Sequence, residues 1–219
     1  MAAAPPAKIR DADRTRRQVL DAAEELFACH GFDGASLAQI GEAAGVSRGT
    51  PSYFFGSKEQ LYQSVLERMY ADRTAALEPA FGSLMRWARA DDPAETLETV
   101  LTASVKGYLE FLRGRPSFVD LFEREALAGG GRLARIDHGS TVMEDAFTAL
   151  REHRARHGLR DFDVPDAVTC LVALGYMPIA HRGTLLRRQR LSLEAPEFVG
   201  SRTRLIVDVL LHLLQAPAA

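Results

Sequence analysis

Ser36 to Leu61 reads SLAQIGEAAGVSRGTPSYFFGSKEQL, and this stretch decides the fold. Ser36 followed by Gln39 is a capping box: the hydroxyl accepts from an orphan N–H at the helix start, and the amide reaches back to the cap. The pattern predicts a helix over about Ser36–Ala44, with Leu37, Ile40 and Ala44 facing inward. Gly45 supplies the left-handed residue that a tight helix-to-helix turn needs. Val46 plugs the turn from behind, and Ser47 is expected to cap a second helix over Ser47–Phe55. Helix, short glycine turn, helix is a helix-turn-helix, whose second helix is the element that enters a major groove.

That second helix is built from weak helix formers, Arg48, Gly49, Thr50, Pro51 and Ser52. Such a surface suits contact with another molecule. Arg48 can donate a bidentate pair to guanine, Thr50 and Ser52 can reach bases or phosphates, and Tyr53 offers a phenol to a phosphate. A short buried helix with a Gly/Pro defect accounts for Phe54 and Phe55, expected in the core, but not for the polar side. Ser57 with Gln60 forms a second capping box and opens a helix over Ser57–Arg89, interrupted near Pro79. Lys58 thus falls in a first helical turn, where a cation opposes the macrodipole at roughly 0.3–1 kcal/mol. A phosphate docked at that helix start reverses the sign; a solvated surface lysine is the plain alternative.

Working outward, Lys8, Arg10, Arg14, Arg16 and Arg17 add positive charge before the motif, yet residues 1–66 hold 7 Lys+Arg against 8 Asp+Glu. Modest DNA affinity per subunit is therefore expected, with dimerisation supplying the rest. The 219-residue chain carries 27 Lys+Arg, all but three of them Arg, and 29 Asp+Glu, which excludes a polycationic coat or an acidic tail. Cys29 and Cys170 match no disulfide framework, zinc or redox spacing. Met1–Arg10 lacks the apolar run of a signal peptide, and Val168–Ala180 is shorter than the ~20 residues of a membrane span. A reduced, cytoplasmic protein with no membrane partner is expected.

Apolar residues recur at three- and four-residue spacing, and glycine and proline punctuate helix-length segments. Beyond the stretches already given, helices are predicted over Asp13–His30, up to about Arg113, from Pro116 to the Gly129–Gly131 loop, and over Ser140–His157, Pro165–Arg190 and Pro196–Gln215. Gly175 and Pro178 are expected to bend the eighth of the nine. The chain is therefore all-α. Residues 1–12 form a loose tail, 13–66 a three-helix helix-turn-helix domain, and 67–219 a helical bundle for ligand binding and dimerisation.

Residues 15–66 resemble the N-terminal domain of TetR-family transcriptional regulators. The likeness runs through Ala22-Ala23, Leu26-Phe27, Gly31-Phe32, Ser36-Leu37, Ile40, Ala44-Gly45-Val46-Ser47, Gly49-Thr50, Tyr53, Phe55 and Ser57-Lys58-Glu59 to Leu61. The resemblance implies a homodimer that binds double-stranded operator DNA and is released by a small effector. By position, Thr50, Tyr53, Lys58 and Ser36 are implied phosphate contacts, and Arg48 and Ser52 fall where such proteins face bases. Pro51 and Ser52 depart from the family's usual apolar and aromatic residues, which bears on the operator sequence and not on the class. At about the fourth helical position Pro51 removes one early backbone bond.

The bundle resembles the family in architecture alone. Leu205, Ile206, Val209, Leu210, Leu213 and Leu214 form a stripe on the last helix, and Cys170, Leu171 and Leu174 another on the eighth, which suits a four-helix dimer interface or simple packing on the protomer's own core. Phe81, Met85, Trp87, Tyr108, Phe111, Phe118, Phe122, Met143, Phe147 and Met177 are candidates to line a pocket for a lipophilic effector, with plain core as the alternative. Glu123 and Glu125 would suit a cationic effector or stand solvated. His153 and His157 have the spacing of two metal ligands, but four arginines surround them, so no metal is expected. Asp137-His138 reads as a polar loop pair, and no catalytic motif, cofactor or enzymatic activity is expected. A ligand-responsive repressor is the leading reading, with an activator inside the same class. The other class is an α-helical small-molecule-binding protein or enzyme that keeps the fold without binding DNA.

Overall fold

A computed structural model describes residues 7–136 and 141–215. Residues 1–6 of the expected tail, Asp137–Ser140 with the Asp137-His138 pair, and the side chains of Lys8 and Arg10 lie outside the described residues. Nine α-helices and no strand occur among the described residues: α1 Ala7–Gly34, α2 Leu37–Ala43, α3 Thr50–Phe55, α4 Lys58–Arg89, α5 Leu97–Gly114, α6 Pro116–Leu127, α7 Val142–Glu152, α8 Val164–Ala180 and α9 Glu197–Leu214.

Helix α1 begins earlier than the sequence predicts, so residues 7–12 are helical and not a tail. It breaks at Gly31, whose φ of 73° and ψ of 176° suit only glycine. Helix α4 runs through Pro79 without interruption: Pro79 and Ala75, whose carbonyl loses its i+4 donor, are both exposed, so water can satisfy that acceptor. Helix α8 ends two residues after Pro178, at Ala180, and a π-helical turn at Arg182–Leu186 follows. The predicted helix to His157 stops at Glu152 and continues as a 3-10 turn, Arg154–His157.

The chain divides into two compact units, one of residues up to 70 with 120–137, the other of residues 71–119 and 138–219. The sequence reading placed 120–137 in the second. The first unit packs Val19, Ala23 and Phe27 of α1 with Ile40, Phe55 and Leu61, Tyr62, Val65, Leu66 of α4. Arg68 ties α4 to α1 through Asp21 at 2.6 Å and Glu24 at 2.7 Å.

In the second unit α5 lies against both α8 and α9, and α7 against α8. Gly175 permits one of these approaches: a Cβ there would stand 2.8 Å from the Tyr108 ring. His157 Nε2 donates to the Ala88 carbonyl (2.9 Å), with its ring tilted against that of Trp87, whose indole donates to the Glu95 carbonyl at 2.8 Å. His157 thus has a packing use of its own, since it meets the last turn of α4. No helix among the described residues is long and apolar enough to cross a membrane.

Candidate nucleic-acid interface

The turn between α2 and α3 is assembled by short-range hydrogen bonds. Ser36 caps α2 by accepting from the Gln39 N–H, and Gln39 Oε1 accepts from the Ser36 N–H at 2.9 Å. Gly45 takes φ of 68°, and the Val46 N–H closes on the Gly41 carbonyl at 2.9 Å. Gly41 is a requirement that no cap or period reveals. A Cβ on it would lie 2.9 Å from the Ser47 carbonyl oxygen and 3.2 Å from Arg48 Cα, so only glycine lets the start of α3 settle on α2.

Ser47 does not cap α3 as the sequence suggested. Its carbonyl accepts from the Thr50 N–H at 3.0 Å, its hydroxyl meets the Thr50 hydroxyl at 2.8 Å, and Gly49 takes the cap position without a side-chain bond. Helix α3 therefore starts later, and Pro51 is its second residue, where the absent N–H would have had no intrahelical partner. Pro51 and Phe55 are buried against the unit, whereas Phe54 is half-exposed with its ring edge on Tyr53, correcting its expected place in the core. Arg16 of α1 stacks 4.8 Å from the Phe55 ring centroid.

The outward side of this turn and helix holds Ser47, Arg48, Gly49, Ser52 and Tyr53, all exposed, with Thr50 half-exposed. Tyr53 is 84% exposed, a cost in apolar surface for which the protomer alone shows no return. Ser57 and Gln60 form the second capping box, with Gln60 Oε1 accepting from the Ser57 N–H at 2.8 Å. Glu59 beside them has its carboxyl held below the usual value, first by its own backbone N–H and then by Ser57. Lys58 opens α4, its ammonium 4.4 Å from the Phe32 ring centroid.

Residues from the later segment complete this unit. Arg124 of α6 donates to the Ala28 and Cys29 carbonyls at 2.8 and 2.7 Å, satisfying two acceptors that α1 leaves open at its end. Glu125 is buried and accepts from the Tyr62 hydroxyl at 2.7 Å and from Arg132 Nη1 at 3.1 Å. Glu125 is thus neither solvated nor open to a cationic effector, because its partners come from this unit. No local pattern announces the links to α1 and α4, because Arg124 lies 95 residues from Cys29 and Glu125 lies 63 from Tyr62.

A family model described as bacterial regulatory proteins of the tetR family matches residues 19–65. The HTH-type transcriptional repressor NicS of Pseudomonas putida is 31% identical over 185 residues, covering 81% of this chain and 82% of that protein. The chain belongs to the TetR family.

The HTH-type transcriptional repressor AcnR of Corynebacterium jeikeium is 34% identical over 158 residues, 70% of this chain and 74% of its own. A TetR-family transcription regulator from Marinobacter aquaeolei VT8 shares the fold, with a TM-score of 0.65 at 19% identity over 95% of this chain and all 100% of that one. This TetR-family chain is a DNA-binding transcriptional regulator with an N-terminal helix-turn-helix and a helical C-terminal domain.

The other sites expected in this family are divided by burial. Leu171, Ile206 and Leu210 lie wholly inside the second unit, so they offer no surface to a partner, whereas Cys170, Leu174, Leu205, Val209 and Leu213 are partly exposed. The stripe on α9 is wider than one face because it serves the protomer's core on one side. Of the pocket candidates, Phe81, Trp87, Tyr108, Phe118, Met143 and Phe147 are buried, and Met85, Phe111 and Phe122 are half-buried. Met177 is 51% exposed and lines an open cleft of about 380 Å³ with His181, Thr184, Leu185 and Arg188.

Proposed function

We propose that this regulator represses transcription as a homodimer, binding a near-palindromic operator through paired helix-turn-helix units and leaving it when a small lipophilic effector occupies the C-terminal domain. The observation that carries the reading is the exposed polar face of α3, with Arg48, Ser52 and the outstanding Tyr53, beside an ammonium at the start of α4. Arg48 and Ser52 read bases; Ser36, Ser47, Thr50, Tyr53 and Lys58 hold phosphates, with Gly49 bringing the backbone close, while the buried Pro51 fixes α3 on its own unit rather than meeting DNA. The names of NicS and AcnR as repressors favour repression for this chain.

Homodimerisation is supported by the partly exposed Cys170 and Leu174 on α8 and Leu205, Val209 and Leu213 on α9, apolar side chains that a second copy would cover. An apolar effector is supported by the aromatic and Met content of the second unit. Helix α4 has residues in both compact units, which suits it to carry a shift from effector to recognition helix. By linkage, operator then weakens effector binding by the factor with which effector weakens operator binding.

Selection of bound duplexes from a random DNA pool tests the reading. An enriched inverted repeat is the expected result; recovery of no motif at low or high salt would overturn it.

A further inference from the structure

Phe32 carries two cations. The Lys58 ammonium and the Arg132 guanidinium each lie 4.4 Å from the centroid of that one ring. They are therefore nearer to each other than the Debye length of roughly 10 Å at 0.1 M salt, and their repulsion is only partly screened. The ring face attracts each of them, but it does not neutralise charge. Lys58 makes no ion pair within 4.0 Å among the described residues, although the neighbouring Glu59 carboxyl is lowered in part by the charges of both Lys58 and Arg132.

Arg132 is held at one corner. Its Nη1 donates to Glu125 Oε1, an oxygen that also accepts from Tyr62, and its plane lies 5.3 Å from the Tyr62 ring centroid. The guanidinium has five donors in a fixed fork. Nε and Nη2 meet no acceptor among the described residues. Glu125 is 2% exposed and Tyr62 1%, so the anchor is rigid while the Arg132 side chain is 37% exposed. A fixed fork with free donors, close to an ammonium that holds no carboxylate in direct contact, is an arrangement completed by an anion with several oxygens.

We propose that Arg132 is a DNA-phosphate-binding residue, paired with Lys58 across Phe32 and oriented by Glu125. This rests on the DNA-binding reading above and extends the binding surface to a residue far downstream of the helix-turn-helix. Double-stranded DNA presents one negative charge per roughly 1.7 Å of axis, so neighbouring phosphates are available to both cations at once. Contact of this kind carries no base information and acts equally on every sequence.

The test titrates the full chain onto two labelled duplexes, one recovered from a random pool and one of scrambled sequence, over a fourfold range of salt. Arg132→Met keeps an apolar stem on Phe32 and removes the charge; Arg132→Lys keeps the charge and loses the fork. Arg132→Met is expected to lower the slope of log affinity against log salt by about 0.9 per protomer on both duplexes, making the loss across that range about threefold smaller. Arg132→Lys is expected to keep the wild-type slope with weaker binding. An unchanged slope for Arg132→Met, whether binding weakens or not, overturns the proposal and leaves Arg132 as a brace of the fold. Wild-type protein that binds neither duplex at any salt overturns the DNA-binding reading itself, a separate result. Circular dichroism melting of each variant distinguishes a damaged fold, in which case Glu125→Leu, which removes the acceptor that orients Arg132, is expected to weaken binding while Arg132 still carries its charge; unchanged binding would overturn the proposal.

Discussion

Tyr62 donates its hydroxyl to Glu125 at 2.7 Å, across 63 residues of sequence, and both side chains are buried. The second carboxylate oxygen of Glu125 has no hydrogen-bond partner among the described residues. Tyr62 therefore provides one of the two bonds that compensate a buried negative charge, Arg132 providing the other. Tyr62→Phe is expected to destabilise the chain by about 1–3 kcal/mol, the usual range when a buried acceptor loses its donor. Chemical denaturation measures it, and a change within error would mean that Arg132 alone suffices.

The same bond makes stability fall in alkali. Burial first, then the hydrogen bond and charge of Glu125, raise the Tyr62 phenol above its ordinary 10.0, and burial raises Tyr108 likewise. In the folded state both stay protonated after the unfolded chain's phenols have ionised. Their contribution is intact below about pH 10 and is lost as the pH climbs beyond it. Melting temperature followed from about pH 9 to 11 is expected to drop, and less steeply in Tyr62→Phe. Equal slopes for the two proteins would refute the assignment to Tyr62.

Gly41 tests the helix-turn-helix packing. Its added Cβ would face backbone atoms, the Ser47 carbonyl oxygen at 2.9 Å and Arg48 Cα at 3.2 Å, which cannot swing aside. Gly41→Ala is expected to cost about 1–3 kcal/mol as overpacking and to weaken DNA binding by displacing α3. Retention of both melting temperature and affinity would show that α2 and α3 have slack between them.

Tyr53 and Lys58 contribute little to the protomer's own core, so their substitution separates binding from folding. Tyr53→Phe with Lys58→Ala is expected to abolish operator binding while the helical spectrum stays unchanged. Lys58→Ala alone is expected to reduce the salt slope by about one unit. Undiminished binding by the double variant would move the phosphate contacts away from Tyr53 and Lys58.

Adjacent residues on α9 make opposite predictions. Leu205 is 45% exposed and Ile206 is 0%. Leu205→Glu is expected to yield a folded monomer by sedimentation, whereas Ile206→Ala is expected to cost about 2–5 kcal/mol through a cavity in the protomer. A Leu205→Glu protein that still sediments as a dimer would move the interface away from α9.

What the sequence determined by itself was local. Ser36 with Gln39, Ser57 with Gln60, and the positive φ of Gly31 and Gly45 involve groups within four residues of each other, so their pattern is visible in the string of letters. The nine helices and the helix-turn-helix follow from such signals and from apolar spacing. The tertiary structure alone decided which side of each stripe is core, separating Ile206 and Leu210 from Leu205 and Val209, because α9 is apolar over more than one face. It also decided that Arg124, Glu125 and Arg132 join the first unit. Bringing groups so distant in sequence together costs chain entropy that only the packed core offsets, and no short-range pattern announces the result.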